Sequence, residues 1–139
     1  MDRITDTLYV GDLQDAGNPK RLREGSPTAV LKLSHSDPAD PYPEDLSVRE
    51  VPLIDGPQND YEDFVVAVEE LLDLVTDDHV VFVHCAAGAS RSVSVTAAAL
   101  ALRRETSVEA AVELIRERRP IANPHPHLRE QAEAVVDTY

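Results

Sequence analysis

The chain has one cysteine, and it falls in the stretch Val80 to Val95, VVFVHCAAGASRSVSV. An apolar run ends at His84. After Cys85 come Ala86, Ala87, Gly88, Ala89 and Ser90, all small, and then Arg91 and Ser92. In most proteins a lone cysteine is a buried packing residue. Here it sits where a strand gives way to a helix. Small residues and one glycine let successive backbone N–H groups turn inward into a nest for anion oxygens, and the following helix adds the positive end of its dipole. Ala86 to Arg91 therefore read as a phosphate cradle with Cys85 at its floor. Such surroundings lower a thiol's pKa below its free value of about 8.5, and the thiolate then faces phosphorus in line as a nucleophile. Arg91 can reach back over the loop and hold two equatorial oxygens with a fork that lysine cannot reproduce. Ser92 can donate to the sulfur and stabilise it as a leaving group.

With one Cys and eleven Arg in the chain, the spacing Cys-x5-Arg alone arises by chance in roughly one such chain in twelve. Requiring His84 directly before, Ser92 directly after and the strand-to-helix context lowers that to roughly one in several thousand, so the pattern carries information.

These residues resemble the protein tyrosine phosphatase superfamily, and specifically its small dual-specificity phosphatases. The likeness extends over nearly the whole chain, through LYVGDLQDA, VPLIDGPQNDYEDF, VFVHCAAGASRS and AAVELIRERRPIANP. It implies that Cys85 becomes a phosphocysteine, that Arg91 binds phosphate and stabilises the transition state, that Ser92 assists hydrolysis of the intermediate, and that His84 orients the loop by hydrogen bonding. It places the general acid at Asp55. Departure of an alkoxide or phenoxide needs a proton, and a carboxylic acid on the loop IDGPQND, flanked by Gly56 and Pro57, can close over the cradle and supply it. Asp60 is the nearest rival, with helix capping as its alternative role. One departure from the family pattern is His125, which stands where a second asparagine is common after Asn123. His125 and His127 lack the Cys or carboxylate partners that would complete a metal site, so no metal and no cofactor is expected.

The elements that position this loop are read from pattern. Ile4 to Val10 suggests a short strand or hairpin ending at Gly11, and Asn18 to Glu24 a helix closed by Gly25. Thr28 to Leu33 reads as a buried strand. Ser34 to Leu46, with Pro38, Pro41 and Pro43, reads as a surface loop, and Ser47 to Leu53 as a strand. From Tyr61, residues Phe64, Val68, Leu71, Leu72 and Val75 share a helical face. His79 to His84 has the near-continuous apolarity of a central strand covered on both faces. Ser92 to Arg104 is apolar on most sides and predicts a buried helix. Ser107 looks like the N-cap of a helix with the stripe Val108, Ala111, Val112 and Ile115, ended by Pro120. Leu128, Ala132, Val135 and Val136 mark a last helix. Strands separated by helices predict an α/β fold, a central mixed, mostly parallel sheet flanked by helices, in one catalytic domain over residues 1–139.

Composition narrows the partners. The 26 acidic against 13 basic residues give a net charge of −13, which repels nucleic acid and anionic membranes. Only Lys20 and Lys32 are lysines. An acidic skin poor in lysine suits concentrated salt, where a Debye length of about 3 Å at 1 M removes most self-repulsion. No stretch reaches the roughly 20 apolar residues of a membrane span, and charges occupy the place of a signal peptide's apolar segment in MDRITDTLYV. A lone Cys fits a reducing compartment, so a cytoplasmic monomer acting on a phosphoprotein or phosphopeptide is expected. Uncharged Ala86 and Ala87 disfavour polyphosphorylated lipids. The same chemistry on a small molecule, a nucleotide or an RNA 5′ phosphate, a non-catalytic phosphate-binding module, and a sulfurtransferase are the competing readings.

Overall fold

The computed structural model describes residues 1–139. Its elements run β1 (Asp2–Arg3), β2 (Leu8–Gly11), α1 (Leu13–Ala16), α2 (Pro19–Gly25), β3 (Ala29–Lys32), β4 (Ser47–Glu50), α3 (Tyr61–Thr76), β5 (Val81–His84), α4 (Arg91–Arg104), α5 (Val108–Arg118) and α6 (Pro126–Thr138). The five strands form one sheet in the order β1-β2-β5-β3-β4. Only β1 is antiparallel, paired with β2; β2, β5, β3 and β4 are mutually parallel. The expected mixed, mostly parallel sheet flanked by helices is the one observed.

Side chains along the sheet alternate faces, as the strand period of two requires. Leu8, Val10, Ala29, Leu31, Val81 and Val83 join the core beneath α3 to α6. Val30 and Phe82 point the other way and pack with Ala16 and Leu22. Every residue of β5 is buried, which explains its unbroken apolarity. Helix α4 packs against α3, α5, α6 and the sheet, and Ser92 to Ala101 are all buried.

The register brings three strand ends together. His84, the last residue of β5, lies opposite Gly11 on one side and Lys32 on the other. Parallel strands that end together open a crevice at their carboxyl ends, where ligands bind in open α/β sheets. The chain leaving β5 enters that crevice at Cys85, between the chain leaving β2 and the chain leaving β3.

Several boundaries differ from the sequence reading. The N-terminal segment is a hairpin whose first strand is only Asp2–Arg3, with Ile4 and Thr5 donating to the Leu8 carbonyl at the turn. Gly25 does not close α2. Ser26 takes the left-handed conformation at φ 51°, while Gly25 leaves space for the Met1 methyl and the Tyr9 ring. The short α1 was not foreseen, because its four residues are too few to show a period. A reciprocal capping box makes it: Asp12 Oδ1 accepts from the Asp15 amide at 2.8 Å, and Asp15 Oδ2 accepts from the Asp12 amide at 3.1 Å. Burial alone would raise the pKa of Asp15. The Met1 ammonium at 2.9 Å, the Asp12 amide and the Arg21 guanidinium at 2.8 Å outweigh burial and hold the carboxyl down to about 2.

Gly11 occupies a narrow point of this corner. A Cβ there would lie 2.6 Å from Asp15 Oδ2, 2.7 Å from Phe82 Cε1 and 2.8 Å from Met1 Cβ. Gly11→Ala is expected to destabilise the fold by about 1–3 kcal/mol through overpacking. An unshifted denaturant midpoint would contradict that packing.

Candidate active site

Residues 85–90 link β5 to α4, and every carbonyl among them is bound by the surrounding protein. Cys85 O accepts from His84 Nδ1 at 3.2 Å, and Ala86 O from the Leu13 amide at 3.0 Å. Ala87 O and Gly88 O both accept from Arg119, at 3.4 and 2.7 Å. Ala89 O accepts from the Asn123 amide at 2.7 Å. Ser90 O takes both the amide and the hydroxyl of Ser94, at 2.8 and 2.7 Å. A peptide unit that turns its C=O outward turns its N–H the opposite way. The amides of Ala86, Ala87, Gly88, Ala89 and Ser90 donate to no protein group, and so remain for an anion's oxygens.

Gly88 makes the curve possible. Its φ is +66°, a region that costs an L-residue roughly 1–2 kcal/mol. A Cβ there would also lie 2.5 Å from the Gly11 carbonyl oxygen and 2.6 Å from Arg119 Nη2. Ala86 and Ala87 are exposed, forming an uncharged mouth, whereas Ser90 is buried. The Ser90 hydroxyl is engaged away from the loop, accepting from the His125 amide at 2.8 Å, so what Ser90 offers a ligand is its backbone amide.

Cys85 is 2% exposed, and its Sγ lies 3.2 Å from the hydroxyl of Ser92, in the first turn of α4. Arg91 opens that helix. One of its nitrogens, Nη1, donates to the Leu53 carbonyl at 3.1 Å, which brings the chain leading to Asp55 up to the loop and leaves other N–H groups of the fork for a ligand. Asp55 itself is exposed. Rather than lying free, its loop is tied down: Ile54 N donates to Asn59 Oδ1 at 2.8 Å, and Asn59 N donates to the Gly56 carbonyl at 3.1 Å. The rival Asp60 caps α3, accepting from the Glu62 amide at 2.9 Å.

His84 is fully buried, stacked on Phe82 with ring centroids 5.4 Å apart. Its Nε2 lies 2.6 Å from the Tyr42 hydroxyl. Because Nδ1 must donate to the Cys85 carbonyl, Nε2 accepts from Tyr42, which fixes one neutral tautomer. Burial, aided by the Lys32 ammonium, lowers the His84 pKa to about 4 against the opposing pull of the Cys85 carbonyl. Burial, with the Glu50 and Asp37 charges, raises that of Tyr42 well above the ordinary phenol value. Lys32 is itself buried and paired with Asp37 at 3.0 Å.

The structure thus gathers His84, Cys85, the 86–90 amides, Arg91 and Ser92 at one point and brings the Asp55 loop to it through Leu53. Sequence reasoning missed Tyr42, Leu13, Arg119 and Asn59. Tyr42 lies in a proline-rich loop with no period to read. Arg119 sits in an arginine-rich run where nothing distinguishes it, yet it is buried and also pairs with Asp2 at 2.9 Å. His125 proves to be the N-cap of α6, accepting from the His127 amide at 3.1 Å.

Residues 8–134 match the family described as dual specificity phosphatase, catalytic domain. Dual specificity protein phosphatase 1B of Arabidopsis thaliana is 29% identical over 127 residues, covering 91% of this chain and 75% of that one. Dual specificity protein phosphatase 22 of Xenopus tropicalis is 28% identical over 134 residues, which cover 96% of this chain but 63% of the relative. The crystal structure of human DUSP28 superposes with a TM-score of 0.86 over 99% of this chain and 96% of that one, at 23% identity, and shares the fold. The chain belongs to the dual specificity phosphatase family. Its class is that of a phosphatase enzyme.

A histidine with a lowered pKa gives a sign to acid stability. The unfolded chain binds a proton at His84 below the ordinary pKa of about 6.5, and the folded chain does so only near 4. Its contribution is therefore complete above about 6.5 and is lost as pH falls towards 4. His84→Asn is expected to remove roughly 2–3 kcal/mol from the stability difference between pH 7 and pH 4.5. Urea midpoints at both pH values measure this, and an unaltered difference would contradict a buried neutral imidazole.

Proposed function

We propose that this phosphatase is a cysteine-dependent phosphomonoesterase acting on phosphotyrosine, phosphoserine and phosphothreonine of phosphoproteins through a phosphocysteine intermediate. The observation that carries the reading is that all six loop carbonyls are bound by the surrounding protein while the amides of residues 86–90 donate to no protein group, which supports an oxyanion site beside Cys85. Preorganised donors of this kind cost no reorganisation when charge develops on the equatorial oxygens, and they are commonly the largest electrostatic contribution in such a site.

In the first step the Cys85 thiolate attacks phosphorus and forms the S–P bond. The bond from phosphorus to the ester oxygen breaks opposite it, and Asp55, as the carboxylic acid, delivers its proton to that oxygen. Arg91 holds two equatorial oxygens with the N–H groups that Leu53 does not use. In the second step water attacks phosphorus and gives its proton to the Asp55 carboxylate. The S–P bond breaks, and the Ser92 hydroxyl, 3.2 Å from the sulfur, donates to the departing thiolate. Inorganic phosphate leaves and the enzyme is restored. No further reactant is needed.

Substrate class is set by the mouth of the loop. Ala86 and Ala87 are exposed and uncharged, so a single phosphate is recognised by the backbone, and there is no second cation in the loop for an additional phosphate. The net charge of −13 works against polyanions such as RNA. A phosphorylated side chain on a protein satisfies both conditions.

Phosphate release from phosphotyrosine and phosphothreonine peptides tests the proposal. Cys85→Ser is expected to abolish release. Asp55→Asn is expected to lower kcat by roughly 10²–10⁴ and to remove the alkaline limb of the pH–rate profile. Turnover by Cys85→Ser, or an unchanged profile in Asp55→Asn, would overturn it.

A further inference from the structure

The Asp55 carboxylate makes no hydrogen bond or ion pair of its own, so its position depends entirely on its backbone. That backbone is held at three neighbouring residues. Leu53 N donates to the Leu33 carbonyl at 2.9 Å and Leu53 O accepts from Arg91. Ile54 N donates to Asn59 Oδ1, and Gly56 O accepts from Asn59 N. The last two bonds both end on Asn59, which closes residues 54–59 into a ring with Asp55 at its outer side.

Asn59 is in turn locked to the C-terminal helix. It is 5% exposed and Gln131, on α6, is 6% exposed. Asn59 Nδ2 donates to Gln131 Oε1 at 2.9 Å, while Gln131 Nε2 donates to the Asn59 carbonyl at 2.8 Å. The second hydrogen of Gln131 Nε2 points to His127 Nε2 at 3.3 Å. The His127 amide donates to His125 Nδ1, and the His125 amide to the hydroxyl of Ser90 in the phosphate loop. A buried primary amide is costly unless its groups are paired. Here each side chain satisfies the other in the one orientation that also ties down the 54–59 ring. The general core has no use for two amides at this place, since leucine or methionine would fill the volume without the need for partners.

We infer that Asn59 and Gln131 are positioning residues that hold the Asp55 loop in the geometry for proton delivery to the leaving oxygen. This inference rests on the assignment of Asp55 proposed above. The pair touches neither substrate nor sulfur and acts only through the backbone of residues 54–56.

Dependence on the leaving group separates this role from ordinary stabilisation. A good leaving group such as p-nitrophenolate departs with little help from an acid, whereas phenolate from phenyl phosphate and the serine alkoxide need the proton. Gln131→Met keeps the volume and removes every bond to Asn59. With folding verified by circular dichroism, it is expected to lower kcat/KM, which reports the step that expels the leaving group and not the later water attack that Asp55 also serves, by roughly 10–100-fold for phenyl phosphate, the scale of an ångström-sized misplacement. The change with p-nitrophenyl phosphate is expected to stay within about threefold, and in an Asp55→Asn background Gln131→Met is expected to have no further effect on the ratio of the two substrates. If Gln131→Met does not fold, Gln131→Glu serves instead, since it keeps the acceptor for Asn59 Nδ2 but loses the donor to the Asn59 carbonyl. Equal loss on both substrates, or a loss undiminished in the Asp55→Asn background, would overturn the inference. Were Asp55→Asn alone to show no preference between leaving groups, the general-acid assignment itself would fall, a result distinct from failure of the clamp.

Discussion

Six consecutive carbonyl oxygens, Cys85 to Ser90, are each held by hydrogen bonds from neighbouring parts of the fold, and this single constraint organises the rest of the molecule. A short segment of small residues has no side chains of its own with which to keep a shape, and fixing its backbone costs roughly 1–2 kcal/mol of entropy per residue. The shape is imposed by the first amide of α1, the Arg119 guanidinium, the Asn123 amide, Ser94 in α4 and the imidazole of His84. Most of these are themselves anchored. The capping box of Asp12 and Asp15 presents the Leu13 amide, Asp2 orients Arg119, and Tyr42 holds the far nitrogen of His84. A planar guanidinium can serve two carbonyls and a carboxylate together, which an ammonium cannot do with the same geometry.

Electrostatics are governed by that arrangement. The acidic surface would repel an incoming phosphate, so attraction must be local. It comes from the unengaged loop amides, from the start of α4, whose N-terminus carries about half a positive charge, and from Arg91. Nearby ionisable groups are kept from interfering. His84 stays neutral because it is buried, and Lys32 is paired with Asp37. The field above Cys85 is therefore made chiefly of fixed dipoles and the Arg91 guanidinium.

Much of this was legible in the residues. The apolar run before His84 marked β5 as central because every residue in it is buried on both faces. The stripe from Phe64 to Val75 marked α3, and Ser107 marked the start of α5. The loop after β5 was legible because the chemistry proposed for it needs a cysteine, small residues and an arginine at fixed spacing. What escaped were contacts between positions far apart in the chain. Arg119 meets Gly88 across 31 residues and Gln131 meets Asn59 across 72, and a single sequence carries no local sign of either. Gly25 misled for a related reason: its lack of a side chain answers to packing against Met1 and Tyr9, while the left-handed residue is Ser26.

The central claim is that a thiolate at position 85 takes the phosphoryl group before water does. Rapid acid quench of the Asp55→Asn protein during turnover of p-nitrophenyl phosphate, with mass spectrometry of the peptide containing Cys85, tests this most directly. A phosphoryl group is predicted on Cys85 itself, formed at a rate that matches the burst of nitrophenolate. Steady release of nitrophenolate with Cys85 never modified, or with the phosphoryl group found on Ser92 or another residue, would contradict it.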